Sequence, residues 1–440
     1  MEIRSLDQLQ SNTFPLVSRI TISENLTAFP PELFRYSESL EILDLSNNLL
    51  DHVPDSIVRF KKLRILFLSG NRFTEFPQVL GQCTSLSMIG FKSNQIRFIP
   101  EHAFPENLRW LILTDNQLEY IPASIGRCKP LEKVALAGNK LRDLPDAMQA
   151  CKNLALLRIS ANNFNSLPSW LLSMPRLAWL AYSGNPCAPV PPPKSLPLLN
   201  WDQLRILELL GQGASGVISK AELKTGTFQD EHLLAVKIFK GDVTSDGYPA
   251  DEMKLSALLP LHQHLVQVLG QISEHPDGKD GLVFKLIPAG YRNLGLPPDF
   301  NSCSRDTFKP GTVFHLRDIV SVLRAVADVS CALHDNGILH GDLYAHNTLI
   351  NNTGHTIFGD FGAATYYERA SENSKSLERL DVRAFGNLMD DLLNHLHTEE
   401  RQSPAVHELH LLKKICLLNE VLLRPDFHYI LNKLNMLQSD

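Results

Sequence analysis

One lysine in the second half of the chain lies in an apolar environment that demands a charged partner. The run LLAVKIF places Lys237 in a strand-like segment, where an inward-facing lysine is costly unless an opposite charge pairs with it. Glu252, fifteen residues later in the helix-like segment DEMKLSALLPLH, can supply that charge. A lysine held in this way can also bind the phosphates of a nucleotide. Taken alone, Lys237 would be interpreted as an exposed strand lysine.

Three glycines precede this strand with the spacing G-x-G-x-x-G. Gly211, Gly213 and Gly216 lie between two apolar runs that read as a hairpin of strands. A dinucleotide-binding fold would begin a helix after the third glycine, but Val217 and Ile218 continue as strand. The pattern therefore predicts a glycine-rich flap whose backbone lies close to nucleotide phosphates.

The segment LVFKLIPAG at 282–290 reads as the last strand of a small lobe with a hinge after it. In that arrangement Phe284 stands at the gatekeeper position. We expect backbone groups of Lys285, Leu286 and Ile287 to bind adenine.

Two further motifs, HGDLYAHNTLI at 340–350 and GDFG at 359–362, complete an ordered set. The order of glycine loop, strand lysine, helix glutamate, H-x-D-x-x-x-x-N and D-F-G resembles the protein kinase family over about residues 200–436. The resemblance implies that Asp342 orients the acceptor hydroxyl and takes its proton, that Asn347 and Asp360 bind Mg²⁺, and that Lys237 holds the phosphates of ATP with Glu252 positioning it. It also implies a structural role for Asp381 and for the pair Arg424–Pro425. The implied ATP contacts are Gly211, Gly213, Gly216, Val217, Ala235, Lys237, Phe284, Lys285, Leu286 and Ile287.

The kinase-like half departs from the family pattern at several positions. Gly341 stands where many regulated kinases have arginine, and Tyr344 where serine/threonine kinases usually have lysine. The segment from Gly362 to Asp381 is short and lacks A-P-E. We expect an active serine/threonine protein kinase; a pseudokinase scaffold and a small-molecule kinase of the aminoglycoside or choline type are the alternatives.

The first half is a repeat array. An asparagine recurs at 25, 48, 71, 94, 116, 139, 162 and 185, with apolar residues eight, five and three positions before it. This pattern resembles the leucine-rich repeat family over about residues 15–192. Each unit should supply one short parallel strand to a stacked core, with the asparagine bonding backbone groups at the bend. Cys83, Cys128 and Cys151 occupy equivalent positions, and we expect them to be buried apolar residues.

Strand residues that alternate with the core positions should form a stripe on the concave face. The stripe is mostly apolar, which favours a surface for a protein substrate or regulator, with Trp110 and Trp179 as anchors. Packing against the catalytic half is the alternative. The stripe consists of Ile42, Ile65, Met88, Trp110, Lys133, Leu156 and Trp179.

The sequence as a whole predicts an α/β leucine-rich repeat solenoid at 1–185, a proline-rich linker at 186–199 and an α+β two-lobed kinase-like domain at 200–440. The net charge of -6 in 440 residues gives no basic footprint for nucleic acid. Seven scattered cysteines do not suggest a disulfide framework, so we expect a reducing, cytoplasmic setting. No apolar run is long enough to predict a transmembrane segment.

Overall fold

The computed structural model describes residues 2–11, 16–213, 215–240, 243–244 and 246–437. The chain divides into two compact units. The first contains residues 1–176 and 185–187, and the second contains residues 177–184 and 188–440. The strand of the last predicted repeat therefore groups with the second unit and not with the other repeats.

The first unit has one short strand in each repeat, as the 23-residue period predicts. Neighbouring strands are parallel and in register, so Ile42 pairs with Ile65 and Ile65 with Met88. Proline precedes most of the 3₁₀ turns that follow the strands, because its missing N–H and fixed φ suit an extended residue at a turn entry. The elements are β1 (Glu2–Ile3), α1 (Leu6–Ser11), β2 (Arg19–Thr21), β3 (Ile42–Asp44), β4 (Ile65–Phe67), β5 (Met88–Gly90), β6 (Trp110–Ile112), β7 (Lys133–Ala135) and β8 (Leu156–Arg158).

A ladder of buried asparagines ties consecutive repeats together. Asn116 is typical: its Nδ2 donates to the carbonyls of Phe91 and Leu113 at 2.9 and 3.0 Å, and its Oδ1 accepts from the N–H of Ile96 at 3.0 Å. These bonds satisfy backbone groups at the bend, which would otherwise be buried without partners. Asn25 departs from the pattern, since it is exposed and itself has a positive φ of 56°.

The apolar stripe is largely buried, which corrects part of the predicted partner surface. Ile65, Met88, Leu156 and Trp179 are 1, 2, 4 and 1% exposed, so they are not available as an open surface. Ile42, Trp110 and Lys133 are half-buried, and Nζ of Lys133 lies 4.2 Å from the centre of the Trp110 ring. Strand alternation predicts which side a residue faces, but not what covers that side.

The second unit begins with β9 (Trp179–Ala181) and then forms a small β lobe and a larger helical lobe. The β-lobe elements are β10 (Leu198–Asn200), β11 (Leu204–Gln212), β12 (Gly216–Leu223), β13 (Leu233–Phe239), α2 (Pro249–Leu258), β14 (Val268–Ser273) and β15 (Gly281–Lys285). The six strands form one sheet in the order β10-β14-β15-β13-β12-β11, and α2 lies between β13 and β14 in sequence.

The end of the predicted linker forms part of this sheet. Leu198 pairs with Gln271 in parallel register, and Leu199 is 2% exposed within the core of the β lobe. Residues 198 and 199, which the sequence assigned to the linker, therefore belong to the sheet of the β lobe.

The helical lobe contains two long helices whose apolar faces are buried. Its elements are β16 (Arg292–Asn293), α3 (Leu316–Asp335), β17 (Ile338–Leu339), β18 (Thr348–Ile350), β19 (Thr356–Phe358), β20 (Thr365–Tyr366), α4 (Ser374–Asn394), α5 (Pro404–Cys416) and α6 (Phe427–Met436). The pairs β17–β20 and β18–β19 are antiparallel and enclose the two motif segments of the sequence. The predicted combination of a repeat solenoid and a two-lobed α+β domain is confirmed. Among the described residues, no helix has the length and apolar character required to span a membrane.

Candidate active site

Lys237 and Glu252 form a buried ion pair between β13 and α2. Nζ of Lys237 lies 2.6 Å from Oε1 of Glu252, and the two side chains are 8 and 6% exposed. The neighbours of Lys237 on β13 are apolar, with Val236 buried and Ile238 half-buried, and this strand lies inside the sheet with partners on both sides. The lysine is therefore held by the rest of the β lobe and by one helix residue.

Burial by itself lowers the pKa of Lys237, but the charges of Glu252 and Asp360 raise it above its ordinary value. Burial raises the pKa of Glu252; the charge of Lys237 opposes this effect and that of Asp360 adds to it. The pKa values of Lys237 and Glu252 are both raised because several carboxylates lie near this one lysine. The site thus has an excess of negative charge that a bound cation would offset.

Asp342 and Asn347 lie on the loop that joins β17 to β18. Nδ2 of Asn347 donates to the backbone carbonyl of Asp342 at 3.0 Å and to its Oδ2 at 2.9 Å. The N–H of Asp342 donates to Nδ1 of His340 at 3.2 Å, and Nε2 of His340 contacts the carbonyl of Gly359 at 3.3 Å. Burial lowers the pKa of His340, which favours the neutral ring that these contacts require. These bonds fix the side chain of Asp342.

Asp381 braces this loop from the buried helix α4. Its carboxylate is 1% exposed and accepts from the N–H groups of His340 and Gly341 at 2.8 and 3.0 Å, which confirms the predicted structural role. Arg424 is also buried, and it donates to the carbonyls of Leu418 and Arg379 at 2.9 and 3.0 Å.

Asp360 follows β19 with a φ of 60°, a conformation that turns its side chain away from the direction of the strand. The N–H of Gly359 donates to the carbonyl of Asn347 at 3.2 Å, so the two predicted metal ligands lie on adjacent segments. A Cβ on Gly362 would lie 3.5 Å from oxygens of both Asp360 and Glu252, and 3.7 Å from Oδ2 of Asp246.

Asp246 is the acidic residue of this site that sequence reasoning missed. It lies in the short segment before α2, and its charge contributes to the raised pKa of Lys237. In the sequence it belongs to the pair Asp246–Gly247, which reads as an ordinary turn, so no signal distinguishes it.

The glycine hairpin has the form expected of a flap. β12 begins at Gly216 and continues as strand, and the N–H of Gly213 donates to the carbonyl of Gly216 at 3.0 Å. A Cβ on Gly211 or Gly213 would meet nothing within 4 Å, so their backbones border open space. A Cβ on Gly216 would lie 2.7 Å from the carbonyl oxygen of Ile238, so close packing requires this glycine.

The remaining predicted nucleotide contacts lie on β12, β13 and β15 or directly after β15. Val217 pairs across the sheet with Ile238, and Ala235 pairs with Phe284. The N–H of Lys285 donates to the carbonyl of Gln267, and its side chain pairs with Glu231. Leu286 and Ile287 follow the end of β15 and are half-buried.

The residues present fit Mg²⁺ and a nucleotide triphosphate. Asp360 is exposed. The side-chain nitrogen of Asn347 donates to Asp342, so the side-chain oxygen of Asn347 points away from Asp342. In the described part of the chain, no three acidic, histidine or cysteine side chains form a ready-made metal cluster. Mg²⁺ bound with a nucleotide does not need one, because it usually takes one or two protein oxygens and completes its shell with phosphates and water.

Comparisons with known proteins agree with this geometry. Residues 204–384 match the family model described as protein tyrosine and serine/threonine kinase, and residues 18–73 match that of the leucine rich repeat. Similar proteins include a serine/threonine-protein kinase of Gibberella zeae, 29% identical over 177 residues that cover 38% of this chain and 30% of that protein. Protein kinase C epsilon type of Rattus norvegicus is 30% identical over 168 residues, covering 37% of this chain and 20% of that protein. The chain thus spans less than a third of the length of these curated relatives.

Proposed function

We propose that this chain, which joins a leucine-rich repeat region to a protein kinase domain, transfers the γ-phosphate of ATP to a protein hydroxyl. The observation that carries the proposal is the buried 2.6 Å ion pair of Lys237 and Glu252, formed beside Asp360. Lysine in this pair is pre-positioned and charged, which is the state that phosphate binding requires.

Each predicted residue then has a distinct task. Lys237 holds phosphate oxygens, and Glu252 keeps the lysine in place. Asn347 and Asp360 would hold Mg²⁺, which when bound neutralises charge on the transferred group. Asp342 orients the acceptor hydroxyl and accepts its proton. Because phosphoryl transfer depends mainly on positioning and charge, this set accounts for most of what the reaction needs.

We further propose that the acceptor is serine or threonine on a protein. The names of the similar proteins support this proposal, as do an intact D-F-G and an attached repeat region. The side chain of His346, at the position where tyrosine kinases often have arginine, is held by Asp306 at 2.6 Å.

We propose that the repeat region recruits a protein partner or substrate, since Ile42 and Trp110 retain part of their surface. Replacing Ile42 with glutamate should weaken co-purification of a phosphorylated partner. Val190, which is 83% exposed in the proline-rich stretch, provides a matched control. Equal effects of Ile42→Glu and Val190→Glu would exclude the concave face as the recruiting surface.

A reducing, cytoplasmic setting also remains our proposal. Cys128 and Cys151 are fully buried, and burial raises the pKa of their thiols to about 12 and 11. Such thiols behave as small apolar residues.

The test of the function uses the purified full chain with γ-labelled ATP and Mg²⁺, supplied in parallel with a protein mixture and with small aminoglycoside and choline acceptors. We expect label on serine and threonine of proteins, the chain itself included. Label on small molecules alone would assign the other kinase class, and binding of ATP without transfer would assign a pseudokinase.

A further inference from the structure

The strand of the last repeat contacts the catalytic loop directly. Residues 177–184, which contain β9, belong to the same compact unit as the kinase domain. This segment lies against both motif regions of the site, and two of the positions it touches are ones where the sequence departs from the kinase pattern.

Trp179 makes the first of these contacts. Its Nε1 donates to the carbonyl of Leu343 at 3.0 Å, and its ring stacks on Tyr344 with centroids 4.4 Å apart and planes 7° from parallel. The two rings are 1 and 5% exposed. Tyr344 also donates from its hydroxyl to the carbonyl of Ser304 at 3.2 Å, so its ring is fixed at both ends. Asp342 is two residues before Tyr344.

Gly341 makes the second contact. It has a φ of 69°, and a Cβ there would lie 2.5 Å from the carbonyl oxygen of Leu180 and 2.9 Å from that of Ala363. No side chain fits between these two backbones. The backbone of the repeat strand thus occupies the space beside the position at which many kinases have arginine.

The residue directly after this strand contacts the segment after D-F-G. The N–H of Tyr182 donates to Oγ1 of Thr365 at 3.5 Å, and Thr365 lies on β20, which pairs with β17 just before the catalytic loop. The repeat strand and Tyr182 therefore touch the residues on both sides of Asp342 and the segment that follows Asp360.

These contacts coexist with an assembled site. Asp342 keeps its bonds from Asn347, and Lys237 keeps its pair with Glu252, while Trp179 is in place. A strand that blocked the site would be expected to displace one of these groups. The geometry therefore favours support of the loop over inhibition.

We propose that β9 is a built-in support of the catalytic loop and that Trp179 is a positioning residue for Asp342. The repeat region then does more than recruit a partner, because its last strand holds the loop in the geometry for transfer. The catalytic part of this inference rests on the proposed kinase function, whereas the structural part does not.

The test compares Trp179→Ala and Trp179→Phe in the full chain with Trp170→Phe as control. Trp170 is also buried, at 8% exposed, and its indole nitrogen has no hydrogen-bond partner among the described residues. Hydrogen exchange of the amides at 340–347 reports on the loop without requiring activity. Steady-state kinetics gives kcat and the KM for ATP, and circular dichroism verifies folding.

We expect Trp179→Ala to increase exchange at 340–347 and to lower kcat about 100-fold with little change in the KM for ATP, because a small displacement of a catalytic group has an effect of this order. Trp179→Phe keeps a ring for stacking but loses the donor to Leu343, and should lower kcat about 10-fold, the equivalent of one such bond. Trp170→Phe should change neither quantity.

Unchanged exchange at 340–347 in a folded Trp179→Ala protein would overturn the proposal. A rise in kcat would overturn it as well, because it would identify the strand as an inhibitor. If the wild-type chain transferred no phosphate, the kinase function would fail, and the exchange measurement alone would still decide whether the strand supports the loop. Should Trp179→Ala not fold, Trp179→Phe carries the same comparison.

Discussion

Replacing Lys237 by methionine should destabilise the second unit far more than a surface lysine would, and in a pH-dependent way. The two side chains of the ion pair are 8 and 6% exposed, so solvent screens their 2.6 Å interaction only weakly. Removing one partner of a buried pair costs about 3–5 kcal/mol because the other charge is left without compensation. In a unit of this size that corresponds to a fall of roughly 6–20 °C in Tm.

The reverse replacement, Glu252→Gln, should cost less. Lys237 would still be near Asp360 and Asp246, whose charges raise its pKa. The expected loss is about 1–3 kcal/mol, the cost of weakening one buried bond. Lys237→Met instead leaves three carboxylates together with no cation. The double replacement with methionine and leucine should recover much of the loss, because a packed apolar pair can substitute for an ion pair.

The pH dependence follows from Glu252. Burial raises the pKa of this carboxyl and the charge of Lys237 opposes the rise, so removing the lysine should raise the pKa further. A carboxyl whose pKa is higher in the folded state stabilises the fold below its unfolded pKa and loses that contribution as the pH rises through the folded value. The deficit of Lys237→Met should therefore shrink as the pH falls from about 8 toward the unfolded carboxyl pKa, near 4.3.

The assay is urea unfolding of the wild type, both single variants and the double variant at two pH values, followed by circular dichroism. Equal losses below about 1 kcal/mol for the two single variants, typical of an exposed pair, would refute the reasoning. So would a deficit in Lys237→Met that does not change with pH.

Three further predictions test the scaffold. Asn116→Ala should cost the repeat unit about 2–4 kcal/mol in a urea unfolding assay because buried backbone groups lose their partners, whereas exposed Asn25→Ala should cost only about 1 kcal/mol, which comes from the positive φ of that position. Asp381→Ala should cost about 2–5 kcal/mol and speed hydrogen exchange of the two backbone amides it accepts from; unchanged exchange would count against the brace. Gly216→Ala should lower stability by about 1–3 kcal/mol, since its Cβ would lie 2.7 Å from a backbone oxygen, while Gly213→Ala faces open space and should leave the Tm nearly unchanged.

Features that follow from local chemistry could be predicted from the sequence. A lysine within an apolar strand requires a carboxylate, and Glu252 lies at the right distance along the chain, in a helix. The repeat period gives the strand positions directly, because each unit repeats the same apolar spacing. Cys83, Cys128 and Cys151 are buried as expected from their place in that period.

Features that depend on what packs against a surface could not be predicted. Strand alternation gave the face on which Trp179 lies and left open whether that face is free or packed; the structure shows its ring stacked on Tyr344. Asp246 comes near Glu252 and Asp360 only in the folded chain, around Gly362. Its place in the sequence does not indicate this. Asn25 matches the period, yet its side chain is exposed, and the period alone does not distinguish it from the buried asparagines.

The most direct test of the account is phosphate transfer by Asp342→Asn compared with wild type, with binding of ATP and Mg²⁺ measured on the same samples. We expect transfer to fall about 100- to 10,000-fold, the usual contribution of a positioned proton acceptor, while nucleotide affinity stays near that of the wild type. Transfer at the wild-type rate by a folded Asp342→Asn protein would contradict the assignment of the catalytic site.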